Sequence, residues 1–152
     1  MKKTPAINDE MHIRAQIASL EDEVRQLPQL EFSLKHTFTS GVYCREIFIP
    51  KGSVIVGKIH RHDHLNFISK GDVTVLTKDG LKRIKGPCTM VSSAGTKRAL
   101  YAHEDTIWTT IHANPTNETD LGKLEDFIIA KTYEDLEHEQ LQLVGHELGK
   151  TA

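Results

Sequence analysis

The sequence lacks the features that mark several large classes of protein. Its 152 residues carry 19 basic and 21 acidic side chains, and the net charge is −2 at pH 7. This balance does not favour binding to nucleic acid or to an anionic membrane surface. The only two cysteines, Cys44 and Cys88, form no CxxC motif, which favours reduced thiols over a disulfide.

Long apolar segments are missing as well. No run of 18 apolar residues occurs, so the sequence predicts no transmembrane helix. The first five residues have the charge of a signal peptide, but the apolar region that must follow is absent, and we expect no secretion by this route. The length fits one domain with appendages, which we divide into a tail and helix (1–28), a central domain (29–114) and a helical extension (115–152).

A helix is predicted over residues 9–27, and Pro28 ends it. The apolar positions, spaced 4, 3, 4 and 3 residues apart, form an a/d seam of two heptads: Ile13, Ile17, Leu20, Val24 and Leu27. Two heptads are too few for a stable isolated coiled coil. The helix therefore either packs on its own domain or serves as an oligomerisation helix.

The central domain shows short alternating segments separated by turns. We predict strands at nine places: 30–34, with 35–39 as a candidate continuation, 42–49, 53–59, 65–69, 72–77, 81–84, 88–91, 97–102 and 106–112. Many short strands at regular spacing are typical of a β-sandwich or a small barrel. After residue 114 the pattern becomes helical again, with segments at 121–128 and 133–143.

Three histidines stand close together before a predicted hairpin. His60, His62 and His64 occupy alternate positions, so on a strand they share one face. Neighbouring imidazoles on one face can converge on a divalent cation. A bend at Arg61 or Asp63 would remove one of them from that face.

This segment resembles the first sequence motif of the cupin family, with Gly57 before the histidines and Gly71 after them. Residues 86–87 and 93–95 resemble the second motif, and the resemblance covers roughly residues 45–112. Two departures stand out. No glutamate lies between the histidines and Gly71, and His64 falls near its place; Arg98 stands where the second motif has a histidine, so that His103 is the next imidazole available.

Small cupin-like proteins encoded by tailed bacteriophages show a closer resemblance, through residues 58–60, 64–66, 69–71, 95–98, 101–106 and 108–112. The resemblance implies a mainly β fold, a cupin-like jelly-roll barrel that is commonly oligomeric, with the predicted N-terminal helix and C-terminal helical extension added to it. It implies no settled activity. A jelly roll is also a common building block of capsid proteins, so a location in the virion or the host cytoplasm is expected.

Two groups of site residues follow from this resemblance. The predicted metal set is His60, His64 and His103, with His62 as a fourth candidate, and three imidazoles suit Zn, Fe, Mn or Ni. Lys97 and Arg98 lie in a loop that borders the pocket in cupin-like barrels. This basic pair either holds a carboxylate or phosphate, or bridges to another subunit, or has no function.

Tyr101 is a candidate lining residue of the same pocket. No nucleophile with a neighbouring base is visible, and no catalytic residue is predicted. Three functions remain: a virion-associated or assembly protein that carries a histidine-bound metal, a small metal-dependent enzyme acting on a sugar or small organic acid, and a non-catalytic anion-binding barrel. We favour the first, with a homo-oligomer and other virion proteins as partners, and neither nucleic acid nor membrane.

Overall fold

The computed structural model describes residues 7–77 and 79–137. Two helices and eleven strands follow each other along the chain: α1 (Ile7–Arg25), β1 (Leu34–Thr39), β2 (Gly41–Ile49), β3 (Val54–Val56), β4 (Ile59–His60), β5 (His64–Lys70), β6 (Asp72–Thr77), β7 (Gly80–Lys85), β8 (Cys88–Ser92), β9 (Ala99–Ala102), β10 (Thr106–Asn114), α2 (Leu121–Ile128) and β11 (Ile129–Ala130). A further helical turn covers residues 133–137. No helix among these elements is both long and apolar enough to cross a membrane.

The strands form two antiparallel sheets that enclose an apolar core. The five-stranded sheet has the order β1-β2-β10-β5-β8, and the four-stranded sheet has the order β3-β9-β6-β7. The core between them consists of Ile49, Ile68, Val73, Val75, Ala102 and Trp108. This arrangement confirms the prediction of a mainly β, cupin-like barrel with an N-terminal helix and a short C-terminal helix.

The register of the long strands decides which side chains enter the barrel. β10 pairs with β2 over nine residues, from Thr106 opposite Ile49 to Asn114 opposite Gly41. Alternate residues of β10 face inward, so Trp108 and His112 are both buried. Since Trp108 lies near the start of the strand and His112 near its end, the barrel has an apolar end and a polar end.

Helix α1 packs on its own domain. Ile17 in the middle of the predicted seam is 2% exposed, and the helix contacts β3. Two polar contacts fasten it to the rest of the chain. Glu21 pairs with Lys97 at 2.5 Å, and the Arg14 guanidinium lies 3.9 Å from the centre of the Tyr133 ring. The seam therefore serves the protomer, although the helix ends at Arg25 and leaves Leu27 exposed.

Two predicted strands differ from those observed. The first begins at Leu34 rather than residue 30. Leu30 lies on the surface, Phe32 packs against the core, and the Ser33 carbonyl accepts from the Phe48 amide at 3.1 Å. The segment 53–59 divides into β3 and β4, with Gly57 between them. The predicted tail at residues 1–6, and residues 138–152 of the C-terminal extension, lie outside the described residues.

The C-terminal extension closes the polar end of the barrel. Asp120 caps α2 by accepting a hydrogen bond from the Lys123 amide at 3.0 Å. The buried face of α2, Leu124 and Ile128, packs on Tyr43 of β2. β11 then pairs with β4, where Ile129 lies opposite His60.

Candidate functional site

Three histidines meet at the polar end of the barrel. His60 lies on β4, His64 at the start of β5 and His112 near the end of β10. The ring centres are 4.3 Å apart for His60 and His64, 4.8 Å for His64 and His112, and 5.6 Å for His60 and His112. We call these three residues the histidine trio.

Strand alternation brings the trio together. His64 begins a strand whose alternate residues His64, Asn66 and Ile68 are buried, and His112 shares the inward face of β10 with Trp108. His60 is fixed by its backbone, because its amide donates to the Thr96 carbonyl at 3.2 Å and its strand pairs with β11.

Burial keeps the trio uncharged at neutral pH. Desolvation is the main cause, and it lowers the pKa of His60 to about 4 and that of His112 to about 3. The neighbouring imidazoles and the positive charge of Arg45 lower both pKa values further. The pKa of His64 is lowered as well, again chiefly by burial, so all three rings are neutral at pH 7.

Hydrogen bonds within the protein engage the trio. His112 Nε2 lies 3.0 Å from Thr110 Oγ1, and His64 Nδ1 lies 3.4 Å from the His62 carbonyl oxygen. The rings pack face against face and do not point their edges at one centre. The His60 and His112 planes differ by 7°, and the His60 and His64 planes by 34°. The stack extends to Tyr43, whose ring centre is 6.0 Å from that of His112 and whose hydroxyl lies 2.6 Å from His36 Nδ1.

Arg98 adds a positive charge beside the trio. Its side chain is partly buried, which lowers its pKa, and its charge also contributes to the low pKa of His64. Within the described residues this guanidinium makes no hydrogen bond and no ion pair. An uncompensated cation in a partly buried position is costly, so the polar end of the barrel is electrostatically unbalanced.

Helix α2 covers this end and is fastened by polar contacts on both sides. Lys58 forms an ion pair with Glu125. The backbone amide of Arg61 donates to the Ile128 carbonyl at 2.7 Å, and its Nε donates to the Ile129 carbonyl at 2.9 Å. The covering is thus part of the folded protomer.

The remaining predicted site residues lie elsewhere. The His62 ring packs at 4.8 Å on Phe127 of α2. His103 lies on the outer face of the four-stranded sheet, where its Nε2 is 2.6 Å from Thr74 Oγ1 and the exposed ring of Tyr101 meets it edge-on. Val73 and Val75, the neighbours of Thr74, point to the core, so His103 and Tyr101 lie outside the barrel.

The predicted set of four histidines is therefore not assembled. His60 and His64 belong to the trio, and His112 stands in the place expected for His103. Of the predicted basic pair, Arg98 lowers the pKa of His64 by its charge, whereas Lys97 pairs with Glu21 of α1. Alternation along residues 106–112 was the available signal for His112, because it shares its face with Trp108.

A metal ion requires ligand atoms that converge on one point. Within residues 7–77 and 79–137, no three His, Cys, Asp or Glu side chains are placed to hold a metal ion together. Within the trio, the His60 and His112 rings are stacked and the His64 ring is tilted against both, whereas the ligand nitrogens of a metal site must point to a common centre. The residues as arranged do not fit the Zn, Fe, Mn or Ni ion predicted from the sequence, and we derive no chemistry through one.

A surface cavity of about 360 Å³ opens beside two members of the trio. His64 and His112 line it together with apolar residues of the five-stranded sheet and the polar Asp63: Gly41, Val42, Leu65, Val91, Ile111 and Ala113. The carboxylate of Asp63 accepts a hydrogen bond from the Ala94 amide at 2.8 Å. The cavity thus joins the polar end of the barrel to the outer face of the sheet.

That outer face carries an unusual number of exposed apolar side chains. Phe48, Leu65, Phe67 and Val91 are 39%, 43%, 38% and 67% exposed. The register places Leu65 opposite Ile111 and Phe48 opposite Ile107, so these residues form one continuous surface across the sheet. We call it the apolar outer face.

Comparisons with known proteins agree with this fold. No family model and no curated protein matches the chain. Among solved structures, ectoine synthase from P. lautus matches with a TM-score of 0.52 at 10% identity, over 66% of this chain and 74% of that one. A cupin superfamily protein from Desulfitobacterium hafniense matches with a TM-score of 0.49 at 11% identity, over 57% and 81%.

A third match is a cupin-2 domain protein from Shewanella frigidimarina, with a TM-score of 0.46 at 11% identity, over 62% of this chain and 92% of that one. Sequence identities this low indicate a similar fold and do not indicate a shared function. The two antiparallel sheets and the match to ectoine synthase show a mainly β, cupin-like barrel.

Proposed function

We propose that this chain is a non-catalytic assembly protein that forms a homo-oligomer through its apolar outer face. The observation that carries the proposal is the continuous exposed apolar surface on the five-stranded sheet. Monomeric proteins rarely leave large contiguous apolar patches open to water, and such patches mark interaction sites.

The dimensions of this face suit a second copy of the chain. Five strands at a spacing of about 4.8 Å and a rise of about 3.3 Å per residue cover a surface roughly 20 Å across and equally long. A standard interface buries about 800 Å² per partner, and a face of about 400 Å² supplies about half of it.

The charge of this face also favours self-association. On the central strands β2, β10 and β5, the outward positions are almost all uncharged, with Glu46 as the exception: Val42, Cys44, Glu46, Phe48, Ile107, Thr109, Ile111, Ala113, Leu65, Phe67 and Ser69. Two copies of a strongly charged face would repel each other, whereas a nearly neutral apolar face is complementary to itself.

A bacteriophage particle, or its assembly in the host cytoplasm, is the setting we propose. The resemblance of residues 58–71 and 95–112 to small phage proteins supports it. Association with particles tests this part: the protein should co-sediment with purified virions or assembly intermediates of the phage that encodes it. A chain found only in the soluble fraction, at every stage of infection, would overturn it.

The alternative of a metal-dependent enzyme is less well supported. The mouth of a barrel is a common place for a small-ligand site, but here α2 covers the polar end and the rings of the trio are stacked. An assembly role requires no access to this end of the barrel.

The oligomer is tested by placing a charge on the apolar outer face. Phe67→Glu should yield monomers in sedimentation velocity, because two carboxylates would be buried in the interface. Tyr101→Glu is the matched control, since Tyr101 is equally exposed, at 42%, but lies on the other sheet. Thermal unfolding of both variants checks that the protomer is intact.

Two outcomes would contradict the proposal. One is a wild-type protein that sediments as a monomer at micromolar concentrations. The other is a folded Phe67→Glu variant that stays oligomeric, which would place the interface on another surface.

A further inference from the structure

We infer that the edge strand β1 pairs with β1 of a second copy of the chain, antiparallel and centred on His36, and that this contact joins dimers into larger assemblies. The inference rests on the homo-oligomer proposed above, in which dimers form through the apolar outer face. It uses a different surface, namely the backbone groups of β1 that point away from β2, which we call the free edge.

β1 is the least protected of the four strands that lie at sheet edges. β3 has only three residues and contacts α1, β7 carries three basic residues, and β8 is exposed at only two of its five positions. β1 has six residues, is exposed at every position except His36, and carries a single charge, Lys35. Within the described residues it pairs with β2 alone. An open edge of this kind is a template for another strand.

The pairing with β2 decides which backbone groups form the free edge. The Ser33 carbonyl accepts from the Phe48 amide at 3.1 Å, and hydrogen-bonded positions alternate along an antiparallel pair. Counted in steps of two from Ser33, the odd-numbered residues of β1 therefore bond to β2. The even-numbered residues turn their amides and carbonyls to the free edge: Leu34, His36 and Phe38.

These three residues are self-complementary about His36. When two copies of β1 pair antiparallel with His36 opposite its own copy, Leu34 lies opposite Phe38 on both sides of the axis. Every free amide and carbonyl of the three residues then finds a partner. A shift by two residues leaves Leu34 or Phe38 of each copy without a strand partner. The sequence of β1 thus has the symmetry that a two-fold contact requires.

The side chains agree with this register. Leu34 and Phe38 are 42% and 37% exposed, and the pairing sets one beside the other, which is a favourable cross-strand pair. The Phe38 ring is held in place by Tyr43, at 5.1 Å between ring centres. Lys35 comes to lie opposite Thr37 of the second copy, so no two like charges stand directly opposite each other.

The contact is small on its own. One strand pair buries far less than the about 1,600 Å² of a standard interface, so it should not hold two chains together at micromolar concentrations. A dimer formed through the apolar outer face carries two free edges. A chain with two such interfaces assembles into particles larger than a dimer, and we expect these particles as the concentration rises above the micromolar range.

Sedimentation velocity of the full chain, from micromolar to millimolar concentrations, tests the free edge. The wild type should grow beyond a dimer, whereas His36→Pro should remain a dimer, because proline has no amide to donate at the centre of the contact. Proline is tolerated here because the His36 amide points away from β2. His36→Ala is the matched control: it also loses the contact of His36 Nδ1 with the Tyr43 hydroxyl, at 2.6 Å, but it keeps the amide and should grow as the wild type does.

Disulfide cross-linking tests the register and remains decisive if His36→Pro does not fold. His36→Cys should cross-link to its own copy on mild oxidation, because Cα atoms of a hydrogen-bonded pair lie about 5.5 Å apart, within the range of about 4.4–6.8 Å that a disulfide spans. Thr37→Cys, which lies opposite Lys35 in this register, is the control and should not cross-link. Mass spectrometry of the linked peptide separates this bond from any formed by Cys44 or Cys88.

Three results would overturn the inference: a wild-type chain that stays a dimer at millimolar concentrations, a folded His36→Pro variant that grows as His36→Ala does, and cross-linking of Thr37→Cys in place of His36→Cys. Dissociation of the dimer by Phe67→Glu is a separate result. The proposed outer-face dimer and the pairing of the free edge can therefore fail independently.

Discussion

The two ends of the barrel are built on different principles. At one end Ile49, Ile68 and Trp108 interlock with residues of the facing sheet in a purely apolar core. At the other end the same strands bury His64 and His112. Burying an apolar side chain stabilises the fold by about 1.5–3 kcal/mol, whereas burying an imidazole depresses its pKa and makes stability sensitive to acid.

Asn66 separates the two ends and satisfies the polar groups at the boundary. Its side chain donates to Ser92 Oγ at 2.8 Å and accepts from Trp108 Nε1 at 3.0 Å. Polar atoms this deep are tolerated because they are paired. The difference between the ends is that the apolar end supplies stability at every pH, whereas the polar end makes stability depend on pH.

Acid should have the largest effect, because it protonates the buried imidazoles of the polar end. Below a pH of about 6.5 the unfolded chain takes up protons at its histidines, whereas the folded chain does not until pH falls to about 4 at His60 and about 3 at His112. The contribution of these neutral histidines to stability is therefore fully present above pH 6.5 and decreases as pH falls. The loss by pH 4 should be about 3 kcal/mol or more.

Urea unfolding at a series of pH values measures this loss. His112→Gln should reduce the slope of the unfolding free energy against pH between pH 6 and pH 4. The reduction should correspond to about one proton fewer taken up on unfolding. His12→Gln, on the exposed surface of α1, is the control and should leave the slope unchanged. Equal slopes in the wild type and His112→Gln would contradict the assignment of the acid sensitivity to the trio.

Gly71→Ala should have the next largest effect, at the turn that joins the two sheets. Gly71 has a φ of +134°, and an added Cβ would lie 2.2 Å from Thr106 Oγ1. Both the backbone strain and the clash oppose the substitution, so we expect a loss of about 3 kcal/mol or more.

Gly80→Ala is its matched control. Gly80 also has a positive φ, +100°, but an added Cβ would meet nothing within 4 Å. It should lose about 1 kcal/mol, from strain alone. Chemical denaturation of both variants separates the two contributions, and equal losses would show that the contact with Thr106 relaxes freely.

Asn66→Ala sharpens the comparison at the boundary. The variant leaves the Trp108 indole N–H without its acceptor, and we expect a loss of about 2 kcal/mol in urea unfolding. Ser92→Ala removes only the other hydrogen bond and should lose less. If Asn66→Ala is as stable as the wild type, water replaces the amide at this position.

Asp72→Asn should have the smallest effect, because Asp72 pairs with the exposed Arg83 on the outer surface. Arg83 lowers the pKa of Asp72, so this pair stabilises the fold above a pH of about 4 and loses its contribution as pH falls through the folded pKa. Thermal melts at pH 7 should show a slightly lower Tm than the wild type, and the difference should vanish in strong acid. If the difference in Tm persists in strong acid, it does not come from the charge of Asp72.

Local patterns in the sequence predicted most of the fold. Alternation and turn residues marked β2, β6 and β10 within two residues of their observed ends, because these strands carry a clear apolar face. The first strand was placed too early, since Leu30 and Phe32 alternate as in a strand but only the chain from Leu34 onward has a partner. Pairing is a property of two segments, and one segment cannot reveal it.

The site was predicted only in part, for a similar reason. The spacing of His60, His62 and His64 assumes one uninterrupted strand, but the chain bends between β4 and β5, and His62 turns to Phe127. His103 and His112 are both distant from this segment in sequence. The register of β10 places His112 inside the barrel. His103 follows the end of β9, and the turn there leaves it outside.

The covering of the polar end has a consequence for biosynthesis. Every strand that contributes to the trio, from β4 to β10, is translated before α2 and β11 exist. While a ribosome still holds the residues after Asn114, the nascent barrel can form its apolar core with the histidines open to solvent. When α2 and β11 emerge, they close over the trio, so the histidines become buried only after the strands of the barrel are in place.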